Sequence, residues 1–232
     1  MKSLQVLTPN KKCIFNCPFC ISKTHEHNNS FVNNYDNNYK VWEENFIKIL
    51  KDYEDLKNIV ITGTSEPMQD KKCVEDIIKI SRKYRPDINL ELQTRYYKIE
   101  PLFDLLDVVA FSVSEFNLLK LIKKTNNITR IVIILTDSFN DKSLNDIISE
   151  IKVDIEQLTF KILHDSDNYN KELDDWVKKH RTNKKTIQKL KKEIEKYKGK
   201  INIRFDENCM DATNRYKVFR EDGNLYDDFY SS

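Results

Sequence analysis

Glycine is scarce in this chain, with three residues among 232, at positions 63, 199 and 223. An average protein contains about 7% glycine. Phosphate-binding loops of the P-loop or G-x-G-x-x-G type need at least two glycines within a few residues. Each glycine here stands alone in the sequence, so both of these nucleotide-binding motifs are excluded.

The sequence also lacks a long hydrophobic run and an excess of charge of either sign. No apolar stretch approaches the roughly 18–20 residues that span a membrane, and the first residues contain no apolar core of the kind found in secretory signals. The 39 Lys and Arg residues against 37 Asp and Glu residues leave a formal charge of +2. This balance gives no indication of nucleic acid or an anionic membrane as a partner. We therefore expect a cytoplasmic protein.

Short runs of β-branched and aliphatic residues alternate along the chain with amphipathic stretches of helical period. Some runs, such as residues 108–111 and 131–135, are continuously apolar, which is typical of strands buried on both faces of a parallel sheet. The predicted strands are Leu4–Leu7, Asn58–Thr62, Ile88–Thr94, Val108–Ser114, Arg130–Thr136, Leu158–Leu163 and Ile201–Arg204. Helical patterns occupy residues 42–53, 73–80, 118–122 and 144–151, and a two-part helix occupies residues 172–198. About six strand–helix repeats predict a doubly wound sheet or a βα barrel.

Two further segments stand outside this alternation. The Asn-rich segment His27–Asn38 predicts a flexible surface insertion or, alternatively, a substrate lid. Near the C-terminus, residues 216–230 contain short apolar runs on either side of Glu221–Asn224, which is a plausible hairpin turn. We expect one core unit over residues 1–206 and a C-terminal tail, with a possible hairpin, over residues 207–232.

The cysteines indicate a metal site. Five cysteines in a chain expected to be cytoplasmic argue against a disulfide framework. Three of them, Cys13, Cys17 and Cys20, follow the first predicted strand in a C-x3-C-x2-C pattern. Three thiolates this close can bind three irons of a [4Fe–4S] cluster and leave the fourth iron open for chemistry. A zinc site is the alternative; His25 and His27 are nearby, although no second pair of ligands has zinc-finger spacing.

The cysteine pattern, with Phe19 before its last cysteine, resembles the cluster motif of the radical S-adenosylmethionine (radical SAM) family. A second stretch, Thr62–Pro67 (TGTSEP), ends the second predicted strand. It is similar to the Gly-Gly-Glu-Pro stretch of that family, although Ser65 stands where a second glycine is usual. The order of elements resembles the family over about residues 4–165. The resemblance implies a partial (β/α)6 barrel of the radical SAM type with a short C-terminal extension.

The resemblance also implies an oxygen-sensitive enzyme with two cofactors, a [4Fe–4S] cluster and S-adenosylmethionine. In that family the reduced cluster cleaves S-adenosylmethionine to a 5′-deoxyadenosyl radical, which abstracts hydrogen from a substrate. An electron donor such as a flavodoxin or a ferredoxin is implied as a partner. A nucleotide or other small molecule is slightly favoured as substrate over a peptide or a glycyl-radical partner enzyme. The rival interpretation is a non-catalytic module that binds zinc or an iron–sulfur cluster.

The residues implied by the resemblance fall at the carboxyl ends of strands, where function gathers in a βα barrel. The cluster ligands are Cys13, Cys17 and Cys20, and the cofactor-binding residues are Phe19, Gly63, Thr64, Ser65 and Glu66, with Ser112 and Ser114 matching only in position. No catalytic residue is identified from the sequence. The same rule about strand ends nominates Gln93, Thr94, Arg95, Thr136, Lys161 and His164.

Two cysteines lie outside the motif. Cys73 shares a helical face with Ile77 and Ile80, which predicts a buried core cysteine. Cys209 follows the last predicted strand and is a candidate for a contact with substrate. Two thiols that lie far apart in the sequence are too few for an auxiliary iron–sulfur cluster.

Overall fold

The computed structural model describes residues 1–9, 12–23, 35, 38–207 and 216–227. Cys209, His25 and His27, and residues 27–34 and 36–37 of the Asn-rich segment, lie outside these described residues. Within the described part of the chain, no helix is long and apolar enough to cross a membrane.

The architecture of the described residues is one mostly parallel sheet. The described residues form nine strands: β1 (Ser3–Thr8), β2 (Asn58–Gly63), β3 (Asn89–Thr94), β4 (Val108–Val113), β5 (Ile128–Leu135), β6 (Gln157–Ile162), β7 (Asn202–Asp206), β8 (Tyr216–Phe219) and β9 (Leu225–Tyr226). Their order in the sheet is β7-β6-β5-β4-β3-β2-β1-β8-β9, in which strands β1 to β7 are parallel neighbours in sequence order. All seven strands predicted from apolar runs are confirmed to within two residues. Their carboxyl ends therefore meet along one edge of the sheet.

Five α-helices lie among the described residues: α1 (Tyr39–Asp52), α2 (Lys71–Tyr84), α3 (Leu144–Glu150), α4 (Lys171–His180) and α5 (Lys184–Lys196). Each follows the predicted amphipathic pattern, because the apolar side chains of one face pack on the sheet. In α1, for example, Trp42, Phe46 and Leu50 are fully buried. The predicted division of residues 172–198 into two helices is confirmed, and the side chain of Asn183 caps the second by accepting from Thr186 N at 2.8 Å.

One predicted helix is wrong. Residues Phe116–Leu121, between β4 and β5, form a 3-10 turn instead of an α-helix. The segment is only six residues long and Leu121 is 44% exposed, so the stretch has too little length and too narrow an apolar face to stabilise an α-helix. The connection between β3 and β4 is likewise a 3-10 turn, Pro101–Leu105, which begins at a proline. The strand–helix alternation is therefore interrupted in the middle of the sheet.

The C-terminal segment extends the sheet past β1. Strand β8 pairs in parallel with β1, and β9 returns antiparallel to β8. The turn between them passes through Gly223, whose φ of +80° favours glycine. Gly223 N donates to Arg220 O at 3.0 Å, which closes the turn. That residues 207–232 form a unit apart from residues 1–206 stays a prediction.

Candidate cofactor site

The three clustered cysteines lie in a loop that directly follows β1 and folds back in short turns. Cys20 N donates to Cys17 O at 3.2 Å, and Lys23 N donates to Cys20 O at 2.9 Å. The ammonium of Lys23 also donates to Cys17 O at 2.8 Å and to Asn16 Oδ1 at 2.9 Å. Asn16 has a φ of +41°, a left-handed conformation that asparagine tolerates better than most residues. These bonds hold the loop in a compact shape with its thiols near one another.

Gln69 fixes the backbone on both sides of Cys13. Its Oε1 accepts a hydrogen bond from Ile14 N at 3.0 Å, and its Nε2 donates to Lys12 O at 3.0 Å. Gln69 ends the 3-10 turn Pro67–Gln69 that follows β2. It therefore joins the TGTSEP stretch to the cysteine loop. Sequence reasoning missed this residue, because its partners lie more than 50 positions away and spacing carries no signal for such a contact.

All three thiols line one cavity of about 280 Å³ at the carboxyl edge of the sheet. Its lining residues come from the cysteine loop and from the ends of β2 to β6: Cys13, Phe15, Cys17, Phe19, Cys20, Ile21, Thr62, Gly63, Ser65, Glu66, Pro67, Gln93, Thr94, Arg95, Ser112, Val132, Ile134, Lys161, Ile162, Leu163 and His164. The structure therefore brings together most of the residues predicted from the two motifs. Thr64 is not in this lining; its hydroxyl is buried without a partner among the described residues, and its role stays a prediction.

A second cavity of about 340 Å³ adjoins the first. The two share Phe15, Cys17, Phe19 and Arg95, and Ser114 lines only the second. Glu115, Thr136 and Asp137 contribute further polar groups. The cysteine loop and Arg95 thus form the wall between two spaces at the same edge of the sheet.

The carboxylate of Glu66 is buried and bound by the chain itself. Its Oε2 accepts from Arg95 N at 2.9 Å. Its Oε1 accepts from Met68 N at 3.1 Å and from the hydroxyl of Thr94. Burial raises the pKa of this carboxyl, and the three donors act against that rise. Glu66 is also the N-cap of the 3-10 turn Pro67–Gln69, so a role in starting that turn is observed directly, while a contact with S-adenosylmethionine stays a prediction.

Gly63 has no room for a side chain, because atoms of the protein itself lie close to it. A Cβ at this position would lie 2.6 Å from Thr8 Oγ1 and 2.9 Å from Ser65 O. Ser65 is itself buried, and its hydroxyl donates to Pro9 O at 3.2 Å. The glycine therefore lets the TGTSEP stretch pack closely against the end of β1.

We expect Gly63→Ala to lower the free energy of unfolding by about 1–3 kcal/mol, because the new methyl group would overlap buried atoms. Urea denaturation followed by circular dichroism measures this change. Gly199→Ala is the control: the three atoms nearest to its Cβ all belong to the outer end of the Tyr197 side chain and not to backbone. Equal unfolding free energies for the two variants would contradict this packing account.

Arg95 connects the end of β3 to the cysteine loop. Its Nη1 donates to Cys17 Sγ at 2.6 Å, and its Nη2 donates to Ser114 Oγ at 3.2 Å. Burial raises the pKa of the Cys17 thiol, and the guanidinium of Arg95 opposes that rise. Ser112 contributes its backbone carbonyl, which accepts from Tyr97 Oη at 2.7 Å. Arg95 is therefore engaged with a predicted cluster ligand in this structure.

Helix α4 covers the outer side of the cysteine loop. The ring centroids of Phe19 and Trp176 lie 5.3 Å apart, and Trp176 stacks on His180 at 4.4 Å. His180 Nδ1 shares a hydrogen bond of 2.9 Å with Asp137. At the start of the helix, Asn170 Nδ2 donates to Lys23 O at 3.1 Å. The helix thus packs Trp176 against Phe19 of the loop, a contact that the apolar stripe containing Trp176 did not reveal.

The end of β6 supplies the remaining polar groups of the first cavity. Lys161 and His164 both line it. Burial lowers the pKa of His164, with the charge of Arg181 acting in the same direction, so its imidazole is neutral at pH 7. Its Nε2 is buried and has no partner among the described residues. The prediction that Cys73 is a buried helix residue is confirmed, because it lies in α2 and its side chain is fully buried in the core.

The donor set of the cysteine loop is three thiols on the wall of one cavity, which suits a cluster whose thiolates each bind a different iron. Within the described part of the chain, no three His, Cys, Asp or Glu side chains converge as ligands of a single metal ion. Cys13 and Cys20 nevertheless lie close enough to Cys17 for their charges to add to the rise in its pKa that burial causes. The residues present therefore fit an iron–sulfur cluster.

Known proteins of the same fold share little sequence with the chain. No protein-family model and no curated protein matches it. The structure of Streptococcus suis SuiB bound to S-adenosylmethionine matches with a TM-score of 0.61 and 13% identity, over 98% of this chain and 60% of that one. The structure of anSMEcpe with bound AdoMet and Cp18Cys peptide has a TM-score of 0.63 and 16% identity, over 99% and 74%.

A third match is the Escherichia coli coproporphyrinogen III oxidase HemN, described as a radical SAM enzyme. Its TM-score is 0.50 and its identity 12%, over 83% of this chain and 51% of HemN. The chain thus spans about half to three quarters of the length of these proteins. Identities this low carry information about the fold and not about the substrate. The chain has the fold of the radical SAM enzymes.

Proposed function

We propose that the chain is a radical SAM enzyme whose cluster ligands are Cys13, Cys17 and Cys20. The observation that carries this proposal is the shared cavity: three thiols from the loop after β1 face the carboxyl ends of β2 to β6 across about 280 Å³. Carboxyl strand ends are where barrel enzymes of this kind place their chemistry. The matched structures of SuiB and anSMEcpe were both solved with bound S-adenosylmethionine.

When bound and reduced, a [4Fe–4S] cluster would supply one electron that cleaves S-adenosylmethionine to methionine and a 5′-deoxyadenosyl radical. The chain's own residues would bind and orient the cofactors and would exclude water from them. The backbone of Gly63 and Ser65, at the end of β2, offers polar atoms to the methionine part, and Ser112 and Ser114 offer theirs at the end of β4. The apolar wall of Val132 and Ile134 from β5 keeps water away from a reactive species.

The cavity lining and the matched structures bear on the class of substrate. The matched SuiB was solved with the precursor peptide SuiA, and anSMEcpe with the Cp18Cys peptide, so a peptide stands beside the nucleotide or small molecule favoured by the sequence. Lys161 gives the cavity lining a cationic group, whereas the guanidinium of Arg95 and the carboxylate of Glu66 are already bound by other residues of the chain. A substrate with an anionic group suits such a lining better than a cationic one.

Reconstitution under anaerobic conditions tests the cluster assignment. We expect a brown protein with about four irons and four sulfides per chain, whose broad visible absorption bleaches on reduction with dithionite. A reduced flavodoxin or ferredoxin would also reduce the cluster, provided that its own reduction potential is low enough. A colourless protein that binds one zinc per chain would instead support the non-catalytic metal-binding module.

A further inference from the structure

Arg95 places a positive charge directly on one predicted cluster ligand. Its Nη1 lies 2.6 Å from Cys17 Sγ. Among the described residues, Cys20 has only a neutral partner, since its sulfur shares a hydrogen bond of 3.0 Å with Ser22 Oγ. In the described loop, the thiol of Cys17 therefore receives a hydrogen bond from a cation, the guanidinium of Arg95, whereas that of Cys20 does not.

The protein holds this guanidinium from several sides. Glu66 Oε2 accepts from the backbone N–H of Arg95 at 2.9 Å, which fixes where the side chain begins. Ser114 Oγ accepts from Nη2 at 3.2 Å. The guanidinium carbon lies 5.3 Å from the ring centroid of Phe15, within the range of a cation–π contact. Because its backbone and its head group are both anchored, the contact with Cys17 does not depend on a freely moving side chain.

A fixed cation beside a cluster sulfur has a predictable electrostatic effect. Reduction adds one negative charge to a cluster, and a nearby positive charge stabilises that form more than the oxidised one. Hydrogen bonds to the sulfurs and the local net charge are among the factors that set the reduction potentials of iron–sulfur clusters. Half-buried surroundings strengthen the effect, because solvent screens the charge less than at an open surface.

We propose that Arg95 donates a charge-assisted hydrogen bond to the sulfur of Cys17 in the cluster-loaded protein and raises the reduction potential of the cluster. This inference rests on the proposed function, since it requires a cluster on Cys13, Cys17 and Cys20. Arg95 acts through the ligand sulfur and is therefore a positioning residue. Ser114 supports it by holding the second nitrogen of the guanidinium.

The test is a redox titration of anaerobically reconstituted protein without S-adenosylmethionine, followed by electron paramagnetic resonance of the reduced cluster. At a fixed solution potential, Arg95→Gln should lower the ratio of reduced to oxidised cluster about tenfold, which corresponds to about 59 mV for one electron. Arg95→Lys, which keeps the charge, should recover most of the loss. Ser114→Ala should shift the potential in the same direction by less. Arg82→Gln is the matched control and should not shift it, because Arg82 pairs with Asp107 at the amino-terminal edge of the sheet, opposite the cysteine loop.

Unchanged midpoint potentials in Arg95→Gln and Ser114→Ala, with full clusters in both, would overturn the inference. If Arg95→Gln takes up no iron, the midpoint potentials of Arg95→Lys and Ser114→Ala test the inference instead. Both variants keep most of the contacts between the cysteine loop and Arg95 that separate the two cavities. Failure of the wild-type chain to bind any cluster is a different result, since it would contradict the proposed function itself.

Discussion

Replacing Cys13, Cys17 or Cys20 with alanine, one at a time, is expected to abolish reductive cleavage of S-adenosylmethionine and to remove most of the bound iron. Each substitution deletes one of the three thiolates on which the proposed cluster depends. The loop is only partly buried, so each variant should lose no more than about 1 kcal/mol of unfolding free energy. Iron content, cleavage rate and melting temperature, measured on the same preparations, separate loss of the cluster from loss of the fold.

The matched control is Cys73→Ala. Cys73 is fully buried in the core, so this variant should lose stability, by about 0.5–3 kcal/mol, while it keeps its iron and its cleavage rate. A variant of Cys13, Cys17 or Cys20 that cleaves S-adenosylmethionine at nearly the wild-type rate would show that the cluster is not held as proposed.

Glu66→Ala is expected to destabilise the fold strongly, because it leaves three donors without an acceptor. The backbone N–H groups of Met68 and Arg95 and the hydroxyl of Thr94 all bind this carboxylate. A buried donor left unsatisfied costs about 1–3 kcal/mol. The substitution also removes the cost of burying a charge, which offsets part of this loss. We expect urea denaturation of the cluster-free protein to show a net decrease of about 2–5 kcal/mol in the free energy of unfolding.

Two variants make the Glu66 result interpretable. Glu66→Gln keeps one acceptor oxygen and should fall between alanine and wild type. Glu75→Ala removes a surface carboxylate that pairs with Lys79 at 3.1 Å and should change stability much less, since exposed ion pairs contribute little. A Glu66→Ala protein that unfolds at the wild-type urea concentration but binds S-adenosylmethionine ten- to hundredfold more weakly would assign the carboxylate to the cofactor instead.

The strands were predictable from the sequence because their apolar runs are nearly continuous. Buried parallel strands need apolar residues on both faces, and short runs rich in β-branched residues, such as residues 131–135, match that requirement. The turn at Phe116–Leu121 was not predictable in the same way. Its three leucines, together with the following Ile122, fit a helical period over too few residues for the pattern to distinguish an α-helix from a 3-10 turn.

Most residues of the predicted site line one cavity, but the sequence did not reveal the contacts that hold them there. Cysteine spacing and the TGTSEP stretch identified residues that the fold brings to one cavity. Three contacts join distant parts of the chain. Gln69 hydrogen-bonds to the cysteine loop, Trp176 packs on Phe19, and Glu66 accepts hydrogen bonds from residues 94 and 95. A single sequence contains no local pattern for such contacts, because they arise only when the sheet is assembled.

The most direct test of the central claim is the product formed from S-adenosylmethionine by the anaerobically reconstituted, reduced protein. We predict that 5′-deoxyadenosine and methionine accumulate in equal amounts in the wild-type chain, and that Cys17→Ser, treated identically, forms neither above background. A wild-type protein that carries a complete [4Fe–4S] cluster, remains reduced and binds S-adenosylmethionine, yet forms no 5′-deoxyadenosine, would contradict the account.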